Sequence, residues 1–132
     1  MRQLEHGHQV ALVNWSMRNE KKYPSLKWLH CIPNGGARNI QVARKLKLEG
    51  VKKGVSDLFL PTSRGGYHGL YIELKAGNNK PTKDQLEFID DMNTEGYKAV
   101  WVTGWENARD VIVEYLEMDE NGEKTGFGKE WN

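Results

Sequence analysis

Three charged side chains lie in two short apolar segments, GVSDLFL and GLYIELK, where buried strands would otherwise carry no charge. Asp57 belongs to the first segment, and Glu73 and Lys75 belong to the second. The residues between the segments, Pro61–Gly66, favour a turn, so the pattern predicts a β-hairpin. Side chains two positions apart in a strand share a face. The hairpin therefore brings Asp57 level with Glu73 and places Lys75 on the same face.

These residue types permit two interpretations. Two carboxylates suit a hard divalent cation such as Mg²⁺, with water and substrate phosphate as its other ligands. A neighbouring lysine can orient or deprotonate a water, or neutralise charge on a phosphate. Alternatively, Lys75 forms a plain salt bridge with Asp57 that holds the hairpin at a sheet edge. Spacing alone leaves both interpretations open.

A longer series of motifs favours the first interpretation. In chain order the motifs are Ile32–Gly36 (IPNGG), Leu46–Leu58 (LKLEGVKKGVSDL), His68–Lys75 (HGLYIELK) and Gln85. The series resembles the VRR-NUC (virus-type replication-repair nuclease) family of the PD-(D/E)XK nuclease superfamily, from about residue 5 to residue 116. Ser56 departs from the proline of the superfamily's name, at a position that donates no catalytic group.

The resemblance implies a structure-selective endonuclease that uses Mg²⁺ or Mn²⁺ to hydrolyse phosphodiester bonds in branched DNA, such as Holliday-like junctions or flaps. It implies a setting in replication, recombination or repair, in the cytoplasm of a bacterial cell, where the gene can be a phage's. It also implies that Lys75 acts on the attacking water and that Gln85 helps to hold the site. The metal ligands that it implies are Asp57, Glu73, the Leu74 backbone carbonyl and, directly or through water, Glu5.

Two of these residues also have ordinary structural explanations. Glu5 falls in the first turn of a predicted helix, where the positive end of the helix dipole favours an exposed glutamate. Gln85 follows Thr82 by three residues, which is the spacing of a capping box. Capping and the active-site role are expected to compete for the one amide of Gln85, and we assign it to the active site.

Hydrophobic periodicity predicts the order helix, strand, helix, strand, strand, helix, strand, helix. This order is typical of an α/β fold in which helices flank a mixed β-sheet. We expect Trp28 and Cys31 to be buried and Lys98 to point outward. Outside the hairpin, the predicted elements are helix 2–18, strand Leu26–Ile32, helix Asn39–Glu49, a helix from Thr82 to Gly96, strand Tyr97–Thr103 and helix Trp105–Leu116.

The densest basic region of the chain, Arg38–Lys53, ends just before Asp57. Charge runs are usually solvated surface, but one beside a metal-site candidate favours a track for the phosphate backbone. The loop Asn34–Asn39, which contains Gly35 and Gly36, is either a phosphate-binding loop or a plain turn. It lacks the Gly-Lys-Ser/Thr ending of a P-loop, so no nucleotide cofactor is expected. The predicted DNA contacts are His30, for which a structural role is an equal alternative, and Asn34, Gly35, Gly36, Arg38, Lys45, Lys52 and Lys53.

The bulk composition sets limits on partners and size. The 132 residues predict one domain, 1–118, followed by a short flexible tail, 119–132. The net charge of +1 excludes a protein that coats nucleic acid by charge alone. The single cysteine excludes an internal disulfide. No segment approaches the ~20 apolar residues that span a bilayer, so we expect no membrane partner.

The small domain with one basic track predicts a homodimer, because two copies double the phosphate contacts. The C-terminal strand and helix are the first choice for the dimer surface. Two rival functions remain: a non-catalytic nucleic-acid-binding module with this fold, and a sequence-specific endonuclease. The intact Asp57, Glu73 and Lys75 argue against the first rival. The lack of a base-reading motif argues against the second.

Overall fold

The computed structural model describes residues 2–33 and 39–119 of the chain. Within these residues, helices flank one sheet with the strand order β1-β2-β3-β4, which is antiparallel except for the parallel pair β3 and β4. The expected α/β fold with a mixed sheet is confirmed. The elements are α1 (Arg2–Arg18), a 3₁₀ helix (Pro24–Trp28), β1 (His30–Cys31), α2 (Ile40–Leu48), β2 (Leu58–Leu60), β3 (Leu70–Lys75), α3 (Lys83–Thr94), β4 (Lys98–Thr103) and α4 (Trp105–Leu116).

Several predictions fall on parts of the chain outside the described residues. They are the flexible tail from residue 120 onward and the DNA contacts Asn34, Gly35, Gly36 and Arg38. None of the helices in the described ranges is long and apolar enough to cross a membrane.

The hairpin of β2 and β3 has the register that the sequence predicts. Leu58 pairs with Ile72, so the preceding Asp57 lies level with Glu73. The sheet face that carries Leu58 and Ile72 packs into the hydrophobic core beneath α1 and α4. Leu12 of α1 is fully buried there. Because side chains alternate along a strand, Glu73 must lie on the opposite face.

Helix α3 lies over this opposite face and is fixed at both ends. At its start, Thr82 and Gln85 form the predicted capping box. At its end, the Asn93 side chain both donates to the carbonyl of Ala99 and accepts its N–H, each at 3.0 Å. These contacts hold α3 against β4 and place Gln85 above β3.

The predicted strand Leu26–Ile32 is wrong. Its first part belongs to the 3₁₀ helix that starts at Pro24, and only His30–Cys31 pairs with β2. Proline favours the first turn of a helix because its φ is fixed near the helical value. Trp28 is 61% exposed and Cys31 is exposed, against the expectation that both are buried. The apolar alternation therefore did not mark a buried strand face.

Lys98 also differs from expectation, because its side chain is buried rather than directed outward. It pairs with Leu70, whose side chain faces the core, so strand geometry turns Lys98 to the same face. Its ammonium group lies 5.9 Å from the ring centroid of Tyr67. The long aliphatic stem of lysine makes such burial tolerable.

Candidate active site

Asp57 and Glu73 meet on the sheet face that α3 partly covers. Asp57 precedes β2, and its Oδ2 accepts the backbone N–H of Leu74 at 2.8 Å. Glu73 lies in the middle of β3 and is 1% exposed. The two carboxyl groups are close enough for the charge of Asp57 to raise the pKa of Glu73. The structure thus brings together the two carboxylates that the sequence singled out.

Lys75 and Gln85 both contact one oxygen of Glu73. The Lys75 ammonium lies 3.2 Å from Glu73 Oε2, and Gln85 Nε2 donates to the same oxygen at 3.1 Å. The salt bridge that was the ordinary alternative therefore exists, but with Glu73 as its acidic partner rather than Asp57. The other oxygen, Glu73 Oε1, is buried and accepts no hydrogen bond from the N–H or hydroxyl groups of the described residues.

Gln85 makes both of the contacts that were expected to exclude each other. Its Oε1 accepts the backbone N–H of Thr82 at 2.9 Å, which completes the capping box. Its Nε2 donates to Glu73. The expectation of competition was wrong because a glutamine amide has a donor end and an acceptor end, which can serve two partners at once.

Burial controls the electrostatics of the carboxylate pair. Removal from water, and then the negative charge of Asp57, raise the pKa of Glu73 to about 8, although Lys75 opposes the shift. Burial also raises the pKa of Asp57 from its ordinary value. Buried Glu73 and half-buried Asp57, with the single ammonium group of Lys75 beside Glu73, leave excess negative charge. The pair therefore retains a proton near neutral pH unless a cation compensates.

The donor set fits a divalent cation of the magnesium type. The described residues contain no group of three or more His, Cys, Asp or Glu side chains arranged to hold a metal. Mg²⁺, however, is commonly bound by only one or two carboxylates, with water and substrate phosphate as the other ligands. Asp57 and Glu73 match that set. The buried Glu73 Oε1 receives no N–H or hydroxyl hydrogen bond from residues 2–33 and 39–119, so it is an oxygen that a cation would satisfy.

Glu5 lies near the pair without joining it in one cluster. Its Oε2 accepts a hydrogen bond from Asn79 Nδ2 at 2.7 Å. Its negative charge contributes to the raised pKa of Asp57, as the smallest of several causes. Glu5 is half-buried, so it is not the freely exposed helix glutamate of the ordinary alternative.

The end of the basic region reaches the start of α3. Lys53 lies 3.3 Å from Asp84 Oδ2, and Asp84 is the neighbour of Gln85. Gly54 makes this approach possible, because its φ is +93° and an added Cβ would lie 2.8 Å from the carbonyl oxygen of Asp84. The backbone that leads to Asp57 is therefore packed directly against α3.

The other predicted DNA contacts within the described ranges are surface residues. Lys45 on α2 and Lys52 are exposed. His30 is exposed on β1, with Nδ1 2.8 Å from the Trp28 carbonyl and its ring edge-on to Phe59. These local contacts satisfy His30 without a ligand, which is the structural role given as its alternative.

Two further residues lie beside the site and were not singled out as site residues. Asn79 holds Glu5, and Trp101 is paired in register with Glu73 on the adjacent strand. The parallel pairing of β3 with β4 would have indicated Trp101 had the register been known. No sequence signal connects Asn79 with a residue 74 positions earlier.

Comparison with known proteins assigns the chain to a family. The family model described as "VRR-NUC domain" matches residues 1–105. A solved structure described as "VRR_NUC domain protein" is similar, with 36% sequence identity and a TM-score of 0.78, over 92% of this chain and 95% of that chain. No curated protein matches the chain. The chain belongs to the VRR-NUC family, which confirms the resemblance. It is a domain of nuclease type, and this implies nucleic-acid binding.

Proposed function

We propose that this chain is a Mg²⁺- or Mn²⁺-dependent endodeoxyribonuclease that hydrolyses phosphodiester bonds in branched DNA. The observation that carries the proposal is the pairing of buried Glu73 with half-buried Asp57. Lys75 and Gln85 hold one Glu73 oxygen, and the other has no N–H or hydroxyl donor among the described residues. An uncompensated buried charge is costly to a fold. A cation site explains why a small domain keeps such a pair, and family membership supports nuclease chemistry there.

The roles that we propose combine the contacts of the site residues with family membership, which supplies the Leu74 carbonyl as a ligand. Asp57, Glu73 and the Leu74 backbone carbonyl would hold the cation, which when bound polarises the phosphate and stabilises the departing oxygen. The Leu74 N–H fixes the Asp57 carboxylate, and Gln85 fixes that of Glu73. Lys75, held on the same face, positions the attacking water or activates it by accepting its proton.

Glu5 acts on the site from a greater distance. Asn79 tethers its carboxylate near Asp57, and no cluster of three acids forms among the described residues. Water mediation is therefore the role that we assign to Glu5.

We assign branched DNA as the substrate because the domain has no motif for reading base sequence. Its net charge of +1 also offers little non-specific attraction, so shape and local basic contacts must select the substrate. The activity would serve replication, recombination or repair in a bacterial cell, whether the gene is the cell's own or that of a phage.

We propose a homodimer as the active form, with β4 and α4 as the first choice of contact surface. Strand β4 is at one end of the strand order in the described sheet. An edge strand presents unpaired backbone groups that a second chain can use. Two copies related by a two-fold axis would present two catalytic sites to two DNA strands.

Cleavage of synthetic DNA tests these proposals. A four-way junction, a flap and a linear duplex of the same sequence are incubated with wild type or Asp57→Ala, in Mg²⁺, Mn²⁺ or chelator. We expect metal-dependent nicking of the branched substrates by wild type only, with DNA binding retained by the variant. Full activity of Asp57→Ala would refute the site, and equal cutting of linear duplex would refute branch selectivity.

Light scattering at micromolar concentration measures the oligomeric state, and a monomer that cuts both junction strands at full rate would refute the dimer.

A further inference from the structure

The loop between β3 and α3 is held firmly beside the carboxylate pair. Gly77 has a φ of +59°, and the Asn79 backbone N–H closes a turn on the carbonyl of Ala76 at 3.2 Å. The Asn79 side chain binds Glu5 of α1. The loop is therefore tied to its own strand and to the first helix, which fixes the position of the next residue, Lys80.

Lys80 lies over the indole ring of Trp101. Its Nζ is 5.4 Å from the ring centroid, within the range of a cation–π contact. Trp101 pairs with Glu73 across adjacent parallel strands, so the two side chains share a face of the sheet. Strand spacing puts their backbones about 4.8 Å apart. Lys80 is thus linked to Glu73 through Trp101, and its neighbour Asn79 contacts Glu5.

The Lys80 side chain has features suited to an anion. It is exposed, and it forms no salt bridge within the part of the chain that the structure describes. A flexible lysine loses side-chain entropy when it binds, and the ring of Trp101 restricts it beforehand. The Lys80 ammonium is therefore held over the side chain of Trp101, the residue that pairs with Glu73 on the adjacent strand.

We propose that Lys80, positioned by Trp101, binds a backbone phosphate of the DNA strand next to the phosphate that is cut. The inference rests on the proposed nuclease function and adds a contact at the β4 side of the pair. This contact is separate from the basic region that leads into β2. Trp101 is a positioning residue in this arrangement, because its ring holds the ammonium group and does not itself contact the phosphate.

The chain offers a closely matched control. Lys22 lies over the ring of Tyr23, also at 5.4 Å from the centroid. It follows the C-terminal end of α1, whereas Glu5 lies near the start of that helix. At 1.5 Å per residue, the distance along α1 from Glu5 to Arg18 is about 20 Å. Lys22→Gln therefore removes the same charge from the same type of contact, far from the proposed subsite.

The test measures the salt dependence of DNA binding, which does not require cleavage. Fluorescence anisotropy with a labelled four-way junction, in chelator and from 50 to 200 mM salt, gives the slope of log affinity against log salt. One lost phosphate contact lowers this slope by about 0.9 on duplex DNA. We expect that loss for Lys80→Gln and no change for Lys22→Gln. Trp101→Phe should keep wild-type affinity, whereas Trp101→Leu should weaken binding several-fold with a smaller change of slope.

The outcomes separate the phosphate subsite from the nuclease function. If Lys80→Gln keeps the wild-type slope, or if Lys22→Gln loses as much, the subsite is refuted even when wild type cuts DNA. If the slope falls only for Lys80→Gln while wild type never cuts, the phosphate contact of Lys80 stands and the nuclease proposal fails. If wild type binds no DNA, both are refuted. Equal thermal stability of the four variants excludes unfolding as the cause of a change.

Discussion

Replacing Glu73 with glutamine tests whether burial of this carboxylate lowers the stability of the fold and whether a bound cation restores it. Burial, followed by the charge of Asp57, raises the pKa of Glu73 from 4.5 to about 8. The folded protein therefore keeps a proton that the unfolded chain releases at lower pH. The stabilisation is complete below pH 4.5 and is lost as pH rises toward 8. At about 1.4 kcal/mol per pH unit, the total loss approaches about 5 kcal/mol.

The Glu73→Gln variant has no proton to release at this position. In chelator it should match wild type near pH 4 and be more stable at pH 8, by roughly 15 °C in Tm for a chain of this length. Mn²⁺ added at pH 8 should raise the Tm of wild type, because binding to the folded state stabilises it. The same addition should leave Glu73→Gln unchanged. Thermal melts of wild type and Glu73→Gln at the two pH values, with and without Mn²⁺, test these expectations.

Asp84→Asn is the matched control, since Asp84 is a partly exposed acid next to the site. It should keep the pH dependence and the Mn²⁺ response of wild type. Parallel pH profiles for wild type and Glu73→Gln would refute the buried-proton explanation. Equal Mn²⁺ stabilisation of both proteins would show that the cation binds away from Glu73.

Three further predictions follow from the site and its supports. Lys75→Ala should lower the single-turnover cleavage rate more than it lowers metal affinity. Lys75→Arg should not restore the rate, because a guanidinium with a pKa above ~12 cannot act as a base. Unchanged rates would show that Lys75 serves only as a structural ion pair. Neutralising Lys45, Lys52 and Lys53 one at a time should each lower the salt slope of DNA binding by about 0.9, and a slope unaffected by all three would place the binding face elsewhere. Gly54→Ala should lower the free energy of unfolding by well above about 1 kcal/mol, and by more than Gly50→Ala does. Both glycines have positive φ, but only at Gly54 would the added Cβ meet α3. Equal losses in chemical denaturation would contradict the packing argument.

The sequence predicts the hairpin because strand alternation and turn residues act locally. Asp57 and Glu73 are 16 residues apart, and the turn between them fixes their register. The capping box at Thr82 is likewise visible in four consecutive residues. For these features the sequence contains the geometry, since the interacting groups are close along the chain or joined by one turn.

Other parts of the site depend on contacts between distant elements. The tether between Asn79 and Glu5 requires the packing of α1 beside the end of β3, which no local pattern specifies. Trp101 reaches the site only through the parallel pairing of β4 with β3. The predicted strand after Pro24 was wrong because a local pattern misled: the apolar alternation resembles a strand. Proline and the single buried residue of the segment, Leu26, instead favour a 3₁₀ turn.

The position of bound Mn²⁺ tests the central claim most directly. Crystals of the protein soaked in Mn²⁺ would give an anomalous difference peak at the metal. The account predicts one peak that contacts Glu73 Oε1 and a carboxylate oxygen of Asp57, at about 2.0–2.3 Å from each. The peak should be absent from crystals of Glu73→Gln. A protein that cuts DNA with Mn²⁺ while its peak lies away from these two carboxylates would contradict the account.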